Sequence, residues 1–250
     1  MAALFDVSTR VACVTGASSG LGRAAASLLA GAGAQVVGVA RRADALKDWQ
    51  DETTGNTAAV VGDLSDRGAL REIARAVAVP FGPPDILINA AGINTRQHAD
   101  DVTPEGWDQT LNLNLSAPFF LAQAMVPAMK EKEWGRIINF ASLQSRRAFG
   151  NGISYGASKA GVEQLTRAMA QAWSPHGITA NAVAPGFFRT ELTGPVFADP
   201  ALAQANADQT CIGRNGEPSD LDGPLMFFCG AGSDYVTGQL LFVDGGFTAK

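Results

Sequence analysis

The sequence predicts an α/β fold, a parallel sheet covered on both faces by helices, and three observations predict it. Short runs rich in β-branched residues alternate with helix-length stretches. The runs are apolar throughout rather than alternating with polar residues, which is the pattern of strands buried on both faces. A glycine cluster separates the first run from the helical stretch that follows, where a doubly wound α/β unit makes its first turn.

Taken in order, the strand runs are VACVTG at 11–16, QVVGVA at 35–40, AAVVGDL at 58–64, DILINAAG at 85–92, RIINFAS at 136–142, ITANAVAPG at 178–186 and LLFVDGG at 240–246. No composition shift, linker, internal repeat or charge run divides the chain, so one domain over 1–250 is expected. The stretch 187–216 departs from the alternation, being rich in Pro, Gly, Ala and Asp. A long insertion of this kind is expected to be a substrate-binding lid; the plainer alternative is a surface excursion with two amphipathic turns.

Apolar residues make up 46% of the chain, enough for a substantial core and too many for a disordered chain. A net charge of −5 provides no basic stripe for a phosphate backbone, so nucleic acid is not an expected partner. The three cysteines, Cys13, Cys211 and Cys229, form no CxxC or Cys/His cluster. They predict reduced, mostly buried thiols, no metal site and a cytoplasmic location. No signal peptide is read at the N-terminus, and no apolar run is long enough to span a membrane.

The first strand run leads into Thr15-Gly16-Ala17-Ser18-Ser19-Gly20-Leu21-Gly22 and then a helical stretch. Glycines there admit dihedrals barred to other residues and let a pyrophosphate approach the amides of a helix N-terminus. A turn that needs glycine only for packing is the plain alternative. The second run ends Val39-Ala40-Arg41-Arg42. An enzyme selecting NAD usually places an acid there for the ribose hydroxyls, and Ala40 has none; Arg41 or Arg42 suits a 2′-phosphate instead. NADP(H) is therefore favoured, with NAD(H) the alternative, and a merely solvated arginine pair the reading against both. Asp63, after the third run, is placed to receive the adenine amino group, with Leu64 beside the ring. Asn89-Ala90-Ala91-Gly92 would let backbone pass close to the cofactor.

Tyr155 and Lys159 are four apart in a helix-periodic segment and so share a face. A phenol of ordinary pKa about 10 is a poor base near neutrality, and an adjacent ammonium favours phenolate. In carbonyl reduction the same hydroxyl donates a proton. Ser142 closes the fifth run, where a hydroxyl can bond a substrate oxygen as charge develops. Asn114 lies among apolar neighbours in WDQTLNLNLSAPFFLAQA, read as helix; it is expected either to hold a water against Lys159 or to be a core amide bonded to backbone.

On these residues the whole chain resembles the short-chain dehydrogenase/reductase family: Thr15 to Gly22, Asp63, Asn89 with Ala91-Gly92, Asn114, Ser142, Tyr155, Lys159, Pro185-Gly186 and Thr190. The resemblance implies one Rossmann-type, doubly wound, seven-stranded parallel sheet, an Asn-Ser-Tyr-Lys tetrad and a homotetramer. It further implies that Lys159 binds the nicotinamide ribose, and that Thr190 with Pro185-Gly186 holds the carboxamide. Two departures are Ala90, where many relatives carry a second Asn, and Ser19, where some NADP-dependent relatives carry a basic residue.

Within that family the opening and closing segments look most like gluconate 5-dehydrogenases and keto-deoxygluconate dehydrogenases, shading into polyol dehydrogenases and acyl-carrier-protein ketoreductases. Arg96 and Arg146 follow segments expected to end near the reactive carbon and would suit a substrate carboxylate; exposed loop arginines are the alternative. Phe187, with Phe188 and Phe197, would wall the substrate or pack the lid onto the core. Nucleotide-sugar epimerases share the Tyr-x3-Lys pair but have longer chains and a different glycine spacing. A dinucleotide-sensing regulator would be expected to lack the tyrosine or the lysine.

Overall fold

Each of the seven apolar runs forms a strand in the computed structural model, which describes residues 2–250. The strands are β1 Val11–Thr15, β2 Gln35–Ala40, β3 Thr57–Val61, β4 Ile86–Asn89, β5 Gly135–Phe140, β6 Ile178–Pro185 and β7 Leu240–Val243. They make one sheet in the order β3-β2-β1-β4-β5-β6-β7, with every neighbouring pair parallel. The helices are α1 Gly20–Gly31, α2 Ala43–Glu52, α3 Leu70–Phe81, α4 Pro104–Leu111, α5 Ala117–Glu131, α6 Ile153–Trp173, α7 Gly194–Phe197, α8 Pro200–Gln209 and α9 Asp222–Cys229. The strand order reverses between β1 and β4, which opens a crevice beyond their C-terminal ends.

Successive strand residues point to opposite faces, and the core divides accordingly. Ala12 and Val14 of β1 pack with Ala25, Ala26 and Leu29 of α1 and with Leu225 and Phe228 of α9. Cys13, between them, faces the other side with Ile73 and Val77 of α3, Leu121 and Met125 of α5 and Met169 of α6. Truncating one of these fully buried side chains, such as Leu29 to alanine, costs about 2–5 kcal/mol. The continuous-burial pattern holds for β1, β4, β5 and β6 and fails at the edges. Both β3 and β7 have partner strands on one side only, and Val61 and Leu241 are exposed.

The WDQTLNLNLSAPFFLAQA segment is not one helix. Between α4 and α5 lies a π-helical turn, Asn112–Ser116, which adds a residue to the turn and aims Asn114 inward. The 187–216 stretch leaves β6 and returns to nearly the same point: the Gly216 amide donates to the Phe187 carbonyl at 2.8 Å, and Phe188 bridges Gly216. α7 and α8 lie inside this loop. No helix among the described residues is long and apolar enough to cross a membrane. Cys13 and Cys229 are buried free thiols, whereas Cys211 is exposed, with its thiol 3.3 Å from the Gly246 carbonyl oxygen.

Candidate active site

A cleft of about 570 Å³ opens at the C-terminal ends of β1, β4, β5 and β6, within the size range of small-molecule sites. Its floor at one end is the glycine loop. Gly16 has φ +74°, and a Cβ there would lie 3.0 Å from the Ala91 backbone; a Cβ on Gly22 would lie 2.5 Å from the Gly16 carbonyl oxygen. Packing of the loop against itself and against the β4 loop thus accounts for two of the glycines. The case for an anion rests on the start of α1, where Ser19 is the N-cap residue but its side chain caps no helix amide. The first-turn amides therefore face the cleft without an internal partner from that side chain, as an anion requires.

Around that loop stand the other expected dinucleotide contacts. Ser18, Ser19, Gly20, Leu21, Asp63 and Leu64 line the cleft, as do Ala91, Gly92, Pro185, Gly186 and Thr190. Arg42 donates through Nη2 to Ser19 Oγ at 2.8 Å and to Ser18 Oγ at 3.3 Å, and it forms a bidentate pair with Glu191. Arg41 lies 3.9 Å from Asp63, whose other oxygen accepts from the Ser65 amide and hydroxyl; those Ser65 bonds hold the Asp63 carboxyl below its usual pKa against a smaller upward pull from burial. The residues present suit an NADP-type dinucleotide: orphan helix amides for the pyrophosphate and two arginines where the adenosine ribose would lie.

Asn89 corrects the sequence reading. Its side chain turns into the sheet, buried, and donates to Asn139 Oδ1 at 2.9 Å; Asn139 in turn donates to Thr166 Oγ1 at 2.9 Å. It ties β4 to β5 and α6 and does not reach the cleft, which is lined instead by Ala90 and its successors. A buried amide takes the nearest partners that satisfy it, and here these are neighbouring strand and helix side chains.

At the other end, α6 carries Tyr155, Ser158, Lys159 and Thr166 on its buried face, polar residues where the helical stripe would ordinarily be apolar. The Lys159 ammonium donates to the Phe140 carbonyl at 2.6 Å. Burial lowers its pKa from 10.5 to about 8. Ser142 caps a short 3-10 turn, its Oγ accepting the Gln144 amide at 3.1 Å, so its own proton remains to be donated into the cleft. Burial also raises the pKa of the Tyr155 phenol, opposed by the Ser142 hydroxyl and the Arg96 guanidinium. The Lys159 ammonium is held by the Phe140 carbonyl 5.7 Å from the ring centre, so it acts on the phenol as a nearby charge and not as a hydrogen-bond donor, and the Arg96 guanidinium adds a second positive charge.

The Asn114 side chain is held by protein partners. Its Oδ1 accepts the Ile93 amide at 2.9 Å, and its Nδ2 donates to the Ile93 carbonyl at 2.9 Å and to Ser158 Oγ at 3.0 Å. Both donors are spent, so the side chain fixes the β4 loop to α6. A Cβ on Gly92 would lie 3.2 Å from Asn114 Oδ1 and 3.7 Å from Lys159 Nζ, which puts this amide beside the lysine.

The two candidate substrate arginines separate. Arg96 lines the cleft, with a φ of +53° supported by an Asn94 side chain that accepts its amide at 3.0 Å. Such a conformation costs a non-glycine residue about 1–2 kcal/mol, a cost that clusters at functional sites. Arg96 Nη2 donates to the Leu192 carbonyl at 2.7 Å. Arg146 does not line the cleft: it pairs with Glu163 at 2.7 Å and lies over the Phe242 ring. The 3-10 turn Leu143–Ser145 that follows Ser142 carries Arg146 away from the cleft, and the nearby α6 carboxylate captures it. Phe187 lines the cleft between the Phe149 and Phe247 rings, and Phe188 borders it from a buried position packed into the core.

Gln144 lines the cleft but was not singled out in the sequence. Its Oε1 is buried without a hydrogen-bond partner, and a Cβ on Gly152 would fall 2.1 Å from that oxygen. Glycine at 152 is what leaves room for the carboxamide. The only signal in the sequence is its place two residues past Ser142.

Comparison with known proteins agrees with this geometry. The family model described as enoyl-(acyl carrier protein) reductase, of the short-chain alcohol dehydrogenase type, matches residues 16–248. The chain belongs to the short-chain dehydrogenase/reductase family and is an oxidoreductase of that class. It is 38% identical to gluconate 5-dehydrogenase of Gluconobacter oxydans, over 99% of this chain and 98% of that one. It is also 38% identical to 2-dehydro-3-deoxy-D-gluconate 5-dehydrogenase of Dickeya dadantii, over 98% of each. A crystal structure of a gluconate 5-dehydrogenase from Burkholderia cenocepacia in complex with NADP and tartrate superposes with a TM-score of 0.93 at 35% identity, covering 100% of this chain and 99% of that one.

Proposed function

We propose that this chain transfers a hydride between NADP(H) and a secondary alcohol or ketone carbon of a sugar acid or a closely related small hydroxy acid. The observation that carries the reading is the convergence of Ser142, Tyr155, Lys159 and Arg96 on one cleft that begins at the α1 amides. When bound, the dinucleotide supplies the hydride for reduction or takes it in oxidation. The chain handles the proton: Tyr155 Oη gives it to the substrate oxygen in reduction and receives it in oxidation. Ser142 donates a hydrogen bond to that oxygen as negative charge develops on it. Lys159, its ammonium 5.7 Å from the ring centre, adds positive charge beside the phenol. Arg96 faces the same space and suits the substrate carboxylate.

The relatives that act on gluconate or a keto-deoxygluconate, and the solved relative holding NADP with the dicarboxylic hydroxy acid tartrate, support this choice over an acyl thioester. Filled tetrad positions argue against a regulator without turnover. The reading takes 1–250 as one dinucleotide-binding and catalytic unit, with 187–216 as its substrate lid, held at its first turn by Arg42 and Arg96. A reducing cytoplasmic setting is supported by the free thiols, and a homotetramer by the exposed apolar Phe120, Ile153 and Leu241. The test is oxidation of NADPH and NADH against 5-ketogluconate, simple ketones, keto polyols and acetoacetyl thioesters. The expected result is NADPH with the keto acid as the best pair; a best pair containing NADH, or the thioester, contradicts it.

A further inference from the structure

We infer that Glu191 is an internal stand-in for the cofactor's 2′-phosphate, seated on Arg42 and Ser19 until a phosphorylated dinucleotide displaces it. The inference deepens the NADP(H) reading and rests on it. Arg42 Nη1 donates to Glu191 Oε1 at 3.1 Å and Nη2 to Oε2 at 2.9 Å, the fork-to-fork geometry in which a guanidinium also takes phosphate. The same Nη2 reaches Ser19 Oγ at 2.8 Å and Ser18 Oγ at 3.3 Å. The four residues enclose an anion site at the end of β2 beside the start of α1, and the anion in it is the chain's own carboxylate.

Glu191 lies far from Arg42 in sequence, at the first turn of the 187–216 segment. The Arg42 hydrogen bond, then the Ser19 one, hold its carboxyl below the ordinary range, so it is charged at neutral pH and repels a second anion. Both side chains remain more than half exposed, so the pair is weak enough to be exchanged for a dianion. A dinucleotide lacking the 2′-phosphate offers Arg42 no replacement, and Glu191 stays. The next residue, Leu192, is held through its carbonyl by Arg96. One dipeptide of the segment therefore occupies both Arg42, beside the expected adenosine ribose, and Arg96, which the proposed function assigns to the substrate carboxylate. Glu191 thus sets the balance between the two dinucleotides and ties arrival of the phosphorylated one to release of this turn.

The test is calorimetric binding of 2′,5′-ADP and 5′-AMP to the wild type and to the Glu191→Gln, Glu191→Ala and Arg42→Ala proteins, with no turnover involved. Removing the competing carboxylate should tighten 2′,5′-ADP about three- to tenfold in both Glu191 variants and leave 5′-AMP within about twofold. Arg42→Ala should loosen 2′,5′-ADP about tenfold or more and not 5′-AMP. Unchanged or weaker 2′,5′-ADP binding in the Glu191 variants, with Arg42→Ala behaving as expected, overturns the stand-in and leaves the NADP(H) reading standing. Undiminished preference for 2′,5′-ADP in Arg42→Ala overturns the role of Arg42, and the stand-in with it.

Discussion

Lys159 holds its ammonium 5.7 Å from the centre of the Tyr155 ring while donating to the Phe140 carbonyl at 2.6 Å, so the lysine is fixed by the β5 backbone and not by the phenol. Burial acts on the two groups in opposite directions, raising the phenol and lowering the ammonium to about 8.

A pH dependence follows. As pH rises through about 8, Lys159 loses its proton first, because the phenol lies above its usual value and stays protonated. Reduction then loses the positive charge that favours phenolate as Tyr155 gives up its proton. We expect kcat/KM for carbonyl reduction to be level below this pH and to fall about tenfold per unit well above it. Lys159→Arg, which remains charged throughout, should lack that limb at a lower plateau. A wild-type profile level to pH 10, or a limb retained in Lys159→Arg, counts against this assignment.

The two arginines should part in kinetics. Arg96→Ala should raise KM for an acid substrate by about 10–100-fold and for a neutral ketone far less, the loss of a hydrogen bond to a charged group. Arg146→Ala, whose side chain is held by Glu163 outside the cleft, should leave both KM values within about twofold. Equal effects of Arg96→Ala on acid and ketone would remove the carboxylate assignment.

Gly152→Ala puts a methyl where Gln144 Oε1 now lies, 2.1 Å from the added carbon. The carboxamide, whose unpartnered oxygen lines the cleft and would accept from a substrate hydroxyl, must move. Steady-state kinetics with the hydroxy acid should show KM rising about tenfold, with dinucleotide affinity within about twofold, and Gln144→Ala should match it. A Gly152→Ala enzyme with native KM would mean that Gln144 does not touch substrate.

Asn89→Ala tests the correction made at that position. Loss of the buried amide leaves Asn139 Oδ1 without its donor, which costs about 1–3 kcal/mol and lowers Tm by several degrees. Dinucleotide affinity, measured by titration, should stay within about twofold. A large loss of affinity at unchanged Tm would return Asn89 to the cofactor site.

The strands were legible because uninterrupted apolar runs have few other uses in a chain of this composition; their order in the sheet was not, since it is set by crossovers that leave no local mark. The tetrad positions were legible as residue types at fixed distances along elements. What those side chains bond was not. Asn89 and Asn114 are satisfied by Asn139, Ile93 and Ser158, partners set by packing between distant segments. The π-helical turn at Asn112–Ser116 leaves no mark in the 3.6-residue pattern. Arg96 and Arg146 look alike in the sequence, and only the nearness of Glu163 to one of them decides which faces the cleft. Gln144 and Glu191 carry no motif, and their roles come from Gly152 and Arg42, which three-dimensional structure alone brings near.

The most direct measurement is single-turnover reduction by Tyr155→Phe with NADPH and the best keto acid, beside dinucleotide affinity by titration. If Tyr155 Oη supplies the proton, the rate falls by about 10³-fold or more while affinity stays within about twofold. A rate within about tenfold of the wild type would mean that the proton reaches the substrate oxygen from another group, and would contradict the assignment of Tyr155.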